Sequence, residues 1–426
     1  MLSNRDNMSQ IIRSSLKCAG RLLIATSLLT GGIAQAGIER DQARRIHERL
    51  TGVPPTNAVL DTMEQMIISD GNGERAALEA MKNPAFYNVT LKNYITPWTN
   101  EAQTLFAPLN DYTATVIGMI RDDLDFRGVL YDDILYTGNN VTPAYSPASN
   151  AHYVALESMD LSDPTVLVRN TQSAMNPQLP AAATAGVITT RAAAEAFFKD
   201  GTNRAMFRFT FMNHMCTDLE PLKDVSRVPD RVRQDASRSP GGDSRIFMFS
   251  CVGCHAGMDG LGGAYAKYNF NTVTGQLDYN RTDAAALADT SLNGYVAGGL
   301  SMKYLNNADN FKPGYIATDE SWVNYWRNGQ NKLLGWKTPP PAGVTLDERG
   351  HANGSGAKSM GAELANSQAF ARCQVKKAFQ AVCLHDPDQY SADRSSVDAI
   401  TTDFMSNGYN MKSVFAKVAD YCKTPK

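Results

Sequence analysis

Histidine is scarce in this chain, with six in 426 residues. Long apolar runs are scarcer. Beyond residue 36 no stretch approaches the roughly 20 apolar residues that a membrane-spanning helix needs, so no transmembrane segment is expected in the mature chain. No second CxxC pair exists, which leaves a zinc site without the two separated ligand pairs it usually draws on. Internal repeats and low-complexity tracts are also missing, so neither a solenoid nor a disordered protein is indicated. There is no excess of positive charge: 41 basic residues stand against 43 acidic ones. A nucleic-acid partner wants a basic face, and none is expected here.

What the N-terminus does have is an export signal. Arg5, Arg13, Lys17 and Arg21 form a positive region with one acid, Asp6, before the apolar run Leu22–Ile33. Ala34-Gln35-Ala36 then supplies a small-x-small cleavage pattern, so residues 1–36 read as a secretory signal cut after Ala36. Its four basic residues and one acid leave with it, which takes the mature chain to 37 basic and 42 acidic, a net charge of about −5. A periplasmic or secreted protein follows. Cys18 is lost as well, leaving Cys216, Cys251, Cys254, Cys373, Cys383 and Cys422, an even set in an oxidising compartment.

Two of those six sit in FSCVGCHAGMDGLGG, Phe249–Gly263, with a histidine directly behind the second. A thioredoxin-type CxxC belongs at a helix start after a strand of a βαβ unit, and no such pattern surrounds this one. Covalent haem attachment uses every residue present. Thiols at Cys251 and Cys254 suit the porphyrin vinyl groups as thioether donors, and His255 is carried beneath the iron as the proximal ligand. One such motif implies one haem c. Upstream, Arg231, Arg233 and Arg238 are candidates to fork onto haem propionates, although a solvated loop face is the plainer use of such a run.

Elsewhere the periodicity is mainly helical. Ile38, Ala43, Ile46 and Leu50, then Val59, Met63, Met66 and Ile67, recur at helical spacing around the break at Pro54-Pro55. Ala76–Met81 and Tyr112–Ile120 continue the pattern, and Thr189–Phe198 is again helix, with Thr189 or Thr190 a plausible cap. Four helices are expected after Ser359: Met360–Asn366, Gln368–Cys383, Ser395–Phe404 and Met411–Cys422. The pattern divides the mature chain into a helical region (37–184), a c-type haem module (185–335), a Pro/Gly-rich linker (336–358, with GWKTPPPAG) and a C-terminal helical module (359–426). Cys373 and Cys383 on one helix would lie about 15 Å apart by helical rise, too far for a disulfide's Cα spacing of about 4.4–6.8 Å. Two pairings remain: Cys216–Cys373 with Cys383–Cys422, preferred for its short hairpin loop, or Cys216–Cys383 with Cys373–Cys422.

Three blocks in order carry a resemblance. Ala185–Cys216 (AGVITTRAAAEAFFKDGTNRAMFRFTFMNHMC), Cys251–Leu277 (CVGCHAGMDGLGGAYAKYNFNTVTGQL) and the stretch Leu364–Tyr421 opening LANSQAFARC are similar to blocks of the planctomycete-type cytochrome c-like family. The middle block looks like that family's CxxCHxxMDPxGFALENFD pattern, with Gly260 and Asn269 where Pro and Asp usually stand. A long insert separates the second block from the third. The resemblance implies Cys251 and Cys254 as thioether donors, His255 as iron ligand, a structural role for Cys216 and Cys373, and a mainly helical fold around a cytochrome-like module. It implies no defined reaction.

A sixth ligand, if one binds, is expected from Met302, 47 residues beyond His255, or from Met360; His214 and His351 are the imidazole candidates. The expected function is single-electron transfer to a redox partner protein. A haem enzyme of peroxidase or oxidase type, with a pocket built by the N-terminal region, and an envelope scaffold with structural haem are the alternatives.

Overall fold

The structure is a computed structural model that describes residues 37–199, 203–227, 229–231, 244–305 and 315–425. The expected signal segment with Cys18, and also Arg233 and Arg238, lie outside the described residues. The chain is mainly helical, with 54% of it in helix against 9% in strand.

The N-terminal helices form where apolar spacing and end signals coincide. Helix α1 (Ile38–Thr51) buries Ala43, Ile46 and Leu50 and stops at Gly52, whose positive φ only glycine adopts cheaply. Thr56 then accepts a hydrogen bond from the Val59 amide to start α2 (Asn57–Asp70), and α3 (Glu74–Ala80) follows. Helix α4 (Asp111–Arg121) is buried on all sides, as a central element must be. Thr190 caps α5 (Arg191–Phe197) through the Ala193 amide. Asn203 precedes α6 (Arg204–His214) with positive φ, and its amide donates to the Tyr265 and Tyr268 carbonyls at 2.9 Å each.

The CxxCH motif opens α7 (Val252–Gly262). Beyond it come α8 (Gly356–Ala365), α9 (Gln368–Cys383, capped by Ser367), α10 (Ser391–Ser406) and α11 (Met411–Tyr421). Helix α11 returns to the N-terminal helices, where the Asp420 carboxylate accepts from the Gly73 amide and Lys417 pairs with Glu74. One apolar cluster therefore runs from Ala43 through Met258 and Trp326 to Ala419. The segments drawn from the sequence share this core.

The strands are short antiparallel pairs: β1 (Leu135–Gly138) with β2 (Leu167–Asn170), β3 (Tyr268–Asn271) with β4 (Gln276–Tyr279), and β5 (Tyr295–Val296) with β6 (Leu300–Ser301). A three-stranded sheet orders β7 (Ser321–Asn324), β9 (Ala352–Ser355) and β8 (Thr345–Leu346), with β9 central. Residues 336–358, expected as a linker, thus supply two strands, with Trp322 opposite Gly354 and Leu346 opposite Ala352. The β8–β9 pairing is local, whereas β9 also pairs with β7, more than twenty residues upstream. Trp322 and Trp326 are buried in the core; Trp322 donates to the Ser359 hydroxyl.

Candidate functional site

Helix α7 is seated by its glycines. A Cβ on Gly257 would collide with the Trp326 indole, one on Gly263 with the Ser321 carbonyl, and one on Gly260 would come within 2.9 Å of the Val323 carbonyl. The helix therefore lies directly on the backbone of β7 and on Trp326. That platform is itself fixed to α8: Arg327 forks onto the buried Glu363 carboxylate with two 2.7 Å hydrogen bonds, and Asn324 donates to the same group. At about 100° per residue, Gly253, Gly257 and Gly260 share one side, while Cys251, His255 and Asp259 share the opposite side. The glycine face packs, and the chemical face is turned away from the platform.

Cys251 and Cys254 carry unbonded thiols, both half-buried, in a chain whose four other described cysteines are paired. Burial, then the Glu220 charge, pushes the Cys254 thiol above its usual range. A redox CxxC needs the opposite shift to make its nucleophile. Cys216–Cys373 joins the end of α6 to α9 at a Cα spacing of 5.2 Å, and Cys383–Cys422 joins the ends of α9 and α11 at 5.7 Å. Among the described residues no group of three or more His, Cys, Asp or Glu gathers as a metal-binding cluster, so the four-ligand set of a zinc site is not assembled there.

The His255 ring is about one-fifth exposed, and its Nδ1 lies 3.1 Å from the Asp259 carboxylate. Asp259 is 1% exposed, and Arg204 of α6 reaches both its oxygens at 3.1 Å. With Nδ1–H donating to a carboxylate, the tautomer that this network selects leaves the Nε2 lone pair free for a metal. Phe247 lies against the ring at 5.4 Å. In the turn before the helix Phe249 is 87% exposed, and Ile246 and Met248 are also exposed, as is Val225 beside Gly253; exposed apolar side chains of this kind suit a binding surface. Two free thiols, a free Nε2 and apolar cover beside them suit a haem joined through thioethers, so these residues fit the group the motif implies.

The other candidate contacts lie in these surroundings. Arg231 donates to the Tyr315 hydroxyl at 2.7 Å and stacks over that ring. Met302 is half-buried at the start of a 3₁₀ turn after β6, and Met360 is fully buried inside α8. His214 is held by the Tyr112 hydroxyl at 2.7 Å between Trp98 and Phe370; burial drives its ring well below the usual histidine range. His351 pairs with Asp347. Asp259 and Arg204 carry no role in the sequence reading. The first had a local signal, an acid four residues after a histidine on one helix. Arg204 comes from 55 residues away and had none.

Comparison of the chain with family models, curated proteins and solved structures finds no match. Among the described residues no helix is long and apolar enough to cross a membrane.

Proposed function

We propose that this chain is an exported c-type cytochrome with one covalent haem, passing single electrons to a redox partner protein. The observation that carries it is the start of α7: two unpaired thiols, three residues apart, with an imidazole anchored through Nδ1 so that Nε2 is open. Cys251 and Cys254 would hold haem by thioethers and His255 would ligate iron. Tethered there, haem c supplies a one-electron Fe(III)/Fe(II) couple. The chain's own part is orientation: the glycine face fixes α7, and Asp259 fixes the imidazole.

The two disulfides support export, and the order of the three sequence blocks supports a cytochrome c-like module. Nothing in the reading requires a substrate pocket. The test is expression with periplasmic cytochrome c maturation, then a haem stain on denatured protein and a pyridine haemochrome spectrum. Retained colour in wild type and its loss in Cys251→Ser/Cys254→Ser is expected. Colour that acid–acetone extracts, or none at all, would overturn the assignment.

A further inference from the structure

We propose that Asp259, clamped by Arg204, is a positioning residue that loads negative charge onto the His255 ring and so lowers the reduction potential of the site. This rests on the haem-attachment reading above.

Three observations carry it. Asp259 sits one helical turn after His255, so the rigid frame of α7 sets the 3.1 Å contact to Nδ1. The carboxylate is 1% exposed, so water neither competes for the bond nor screens the charge. Arg204 binds both oxygens, which fixes their orientation. A carboxylate accepting from Nδ1–H draws that proton toward itself and makes Nε2 the stronger donor. A stronger, more negative donor favours the ferric state. The guanidinium draws charge the other way, so the pair sets an intermediate value.

The sign of the Arg204 effect separates this from simple support of the helix. The experiment compares the covalently loaded wild type with Asp259→Asn, Asp259→Glu and Arg204→Met. It reads the midpoint potential and, in resonance Raman, the iron–imidazole stretching band of the five-coordinate ferrous species left when the carbon monoxide complex is photolysed. Asp259→Asn should shift the equilibrium toward the reduced form by about tenfold, 59 mV for one electron, and lower the stretching frequency. Asp259→Glu should recover part of both. Arg204→Met should move both readouts the opposite way from Asp259→Asn. Unchanged potential and band in Asp259→Asn, with haem attached and the urea unfolding midpoint intact, would overturn the proposal and leave the haem assignment standing. Absence of covalent haem in wild type would overturn both. If Arg204→Met fails to fold, the Asn and Glu pair still decides.

Discussion

Replacing Gly257 by alanine puts a methyl group where the Trp326 indole already is. Neither partner can give way easily. Trp326 is fully buried, with Phe211 at 5.2 Å and Phe207 at 6.0 Å against its ring. The helix on the other side of the contact is held close to the β7 backbone at Gly260 and Gly263. Overpacking of this kind costs about 1–3 kcal/mol, against which alanine returns about 0.8–1.0 kcal/mol of helix propensity. Gly262 is the internal control: on the same helix, a Cβ there meets nothing within 4 Å. Gly262→Ala should therefore be neutral or stabilising by up to about 1 kcal/mol, less if helix-end fraying reduces the gain. The measurement is urea unfolding with both slopes compared, since equal slopes let midpoints be read as stability. The expected gap between the variants is about 1–3 kcal/mol, with Gly257→Ala the weaker protein. Equal midpoints would show that α7 does not rest on Trp326 and would remove the account of why this motif is so rich in glycine.

Opening Cys216–Cys373 should destabilise more than opening Cys383–Cys422. The chain separations of 157 and 39 residues correspond to loop-closure limits of about 5 and about 4 kcal/mol; reversed losses in the two double-alanine variants would refute that order. His214 supplies a pH signature. Its folded pKa lies well below 6.5 because it is buried, so the unfolded chain takes up a proton that the folded chain refuses. Stability is full above about pH 6.5 and falls as pH drops below it, by at most about 1.4 kcal/mol per pH unit. Urea midpoints between pH 7.5 and 5 should fall less steeply in His214→Gln than in wild type, and parallel curves would exclude the effect. Splitting the Arg327–Glu363 pair by Arg327→Met leaves a buried carboxylate uncompensated, at a cost of about 3–5 kcal/mol. Adding Glu363→Gln to the same chain should recover part of it, and a double variant no more stable than Arg327→Met would contradict the pairing.

The helices could be read from the chain because each carries its own signals. Ile46 and Leu50 recur at helical spacing, and Thr190 and Ser367 are caps whose hydroxyls accept from amides three residues ahead. The C-terminal set is placed within a few residues, Gln368–Cys383 at its observed bounds. What stayed hidden depends on partners distant in sequence. Of the strands in 336–358, β9 pairs with β7 and β8 pairs with β9 alone, and PPPAG says nothing of β7. At the site, Cys251, Cys254 and His255 are adjacent and legible, whereas the Arg204 clamp is a contact between two helices. Arg231, read as a loop cation, is engaged by a tyrosine 84 residues downstream.

The bidentate pair between Arg327 and Glu363 bears on what the bulk of the chain is for. The ledge under the CxxCH helix hangs from α8, and α8 belongs to the same interior that the first and last helices close. The CxxCH helix and its ledge do not form a separate unit, because one apolar cluster joins them to the first and last helices. The rest of the chain serves the CxxCH helix as chassis, and the pose of the His255 imidazole depends on it.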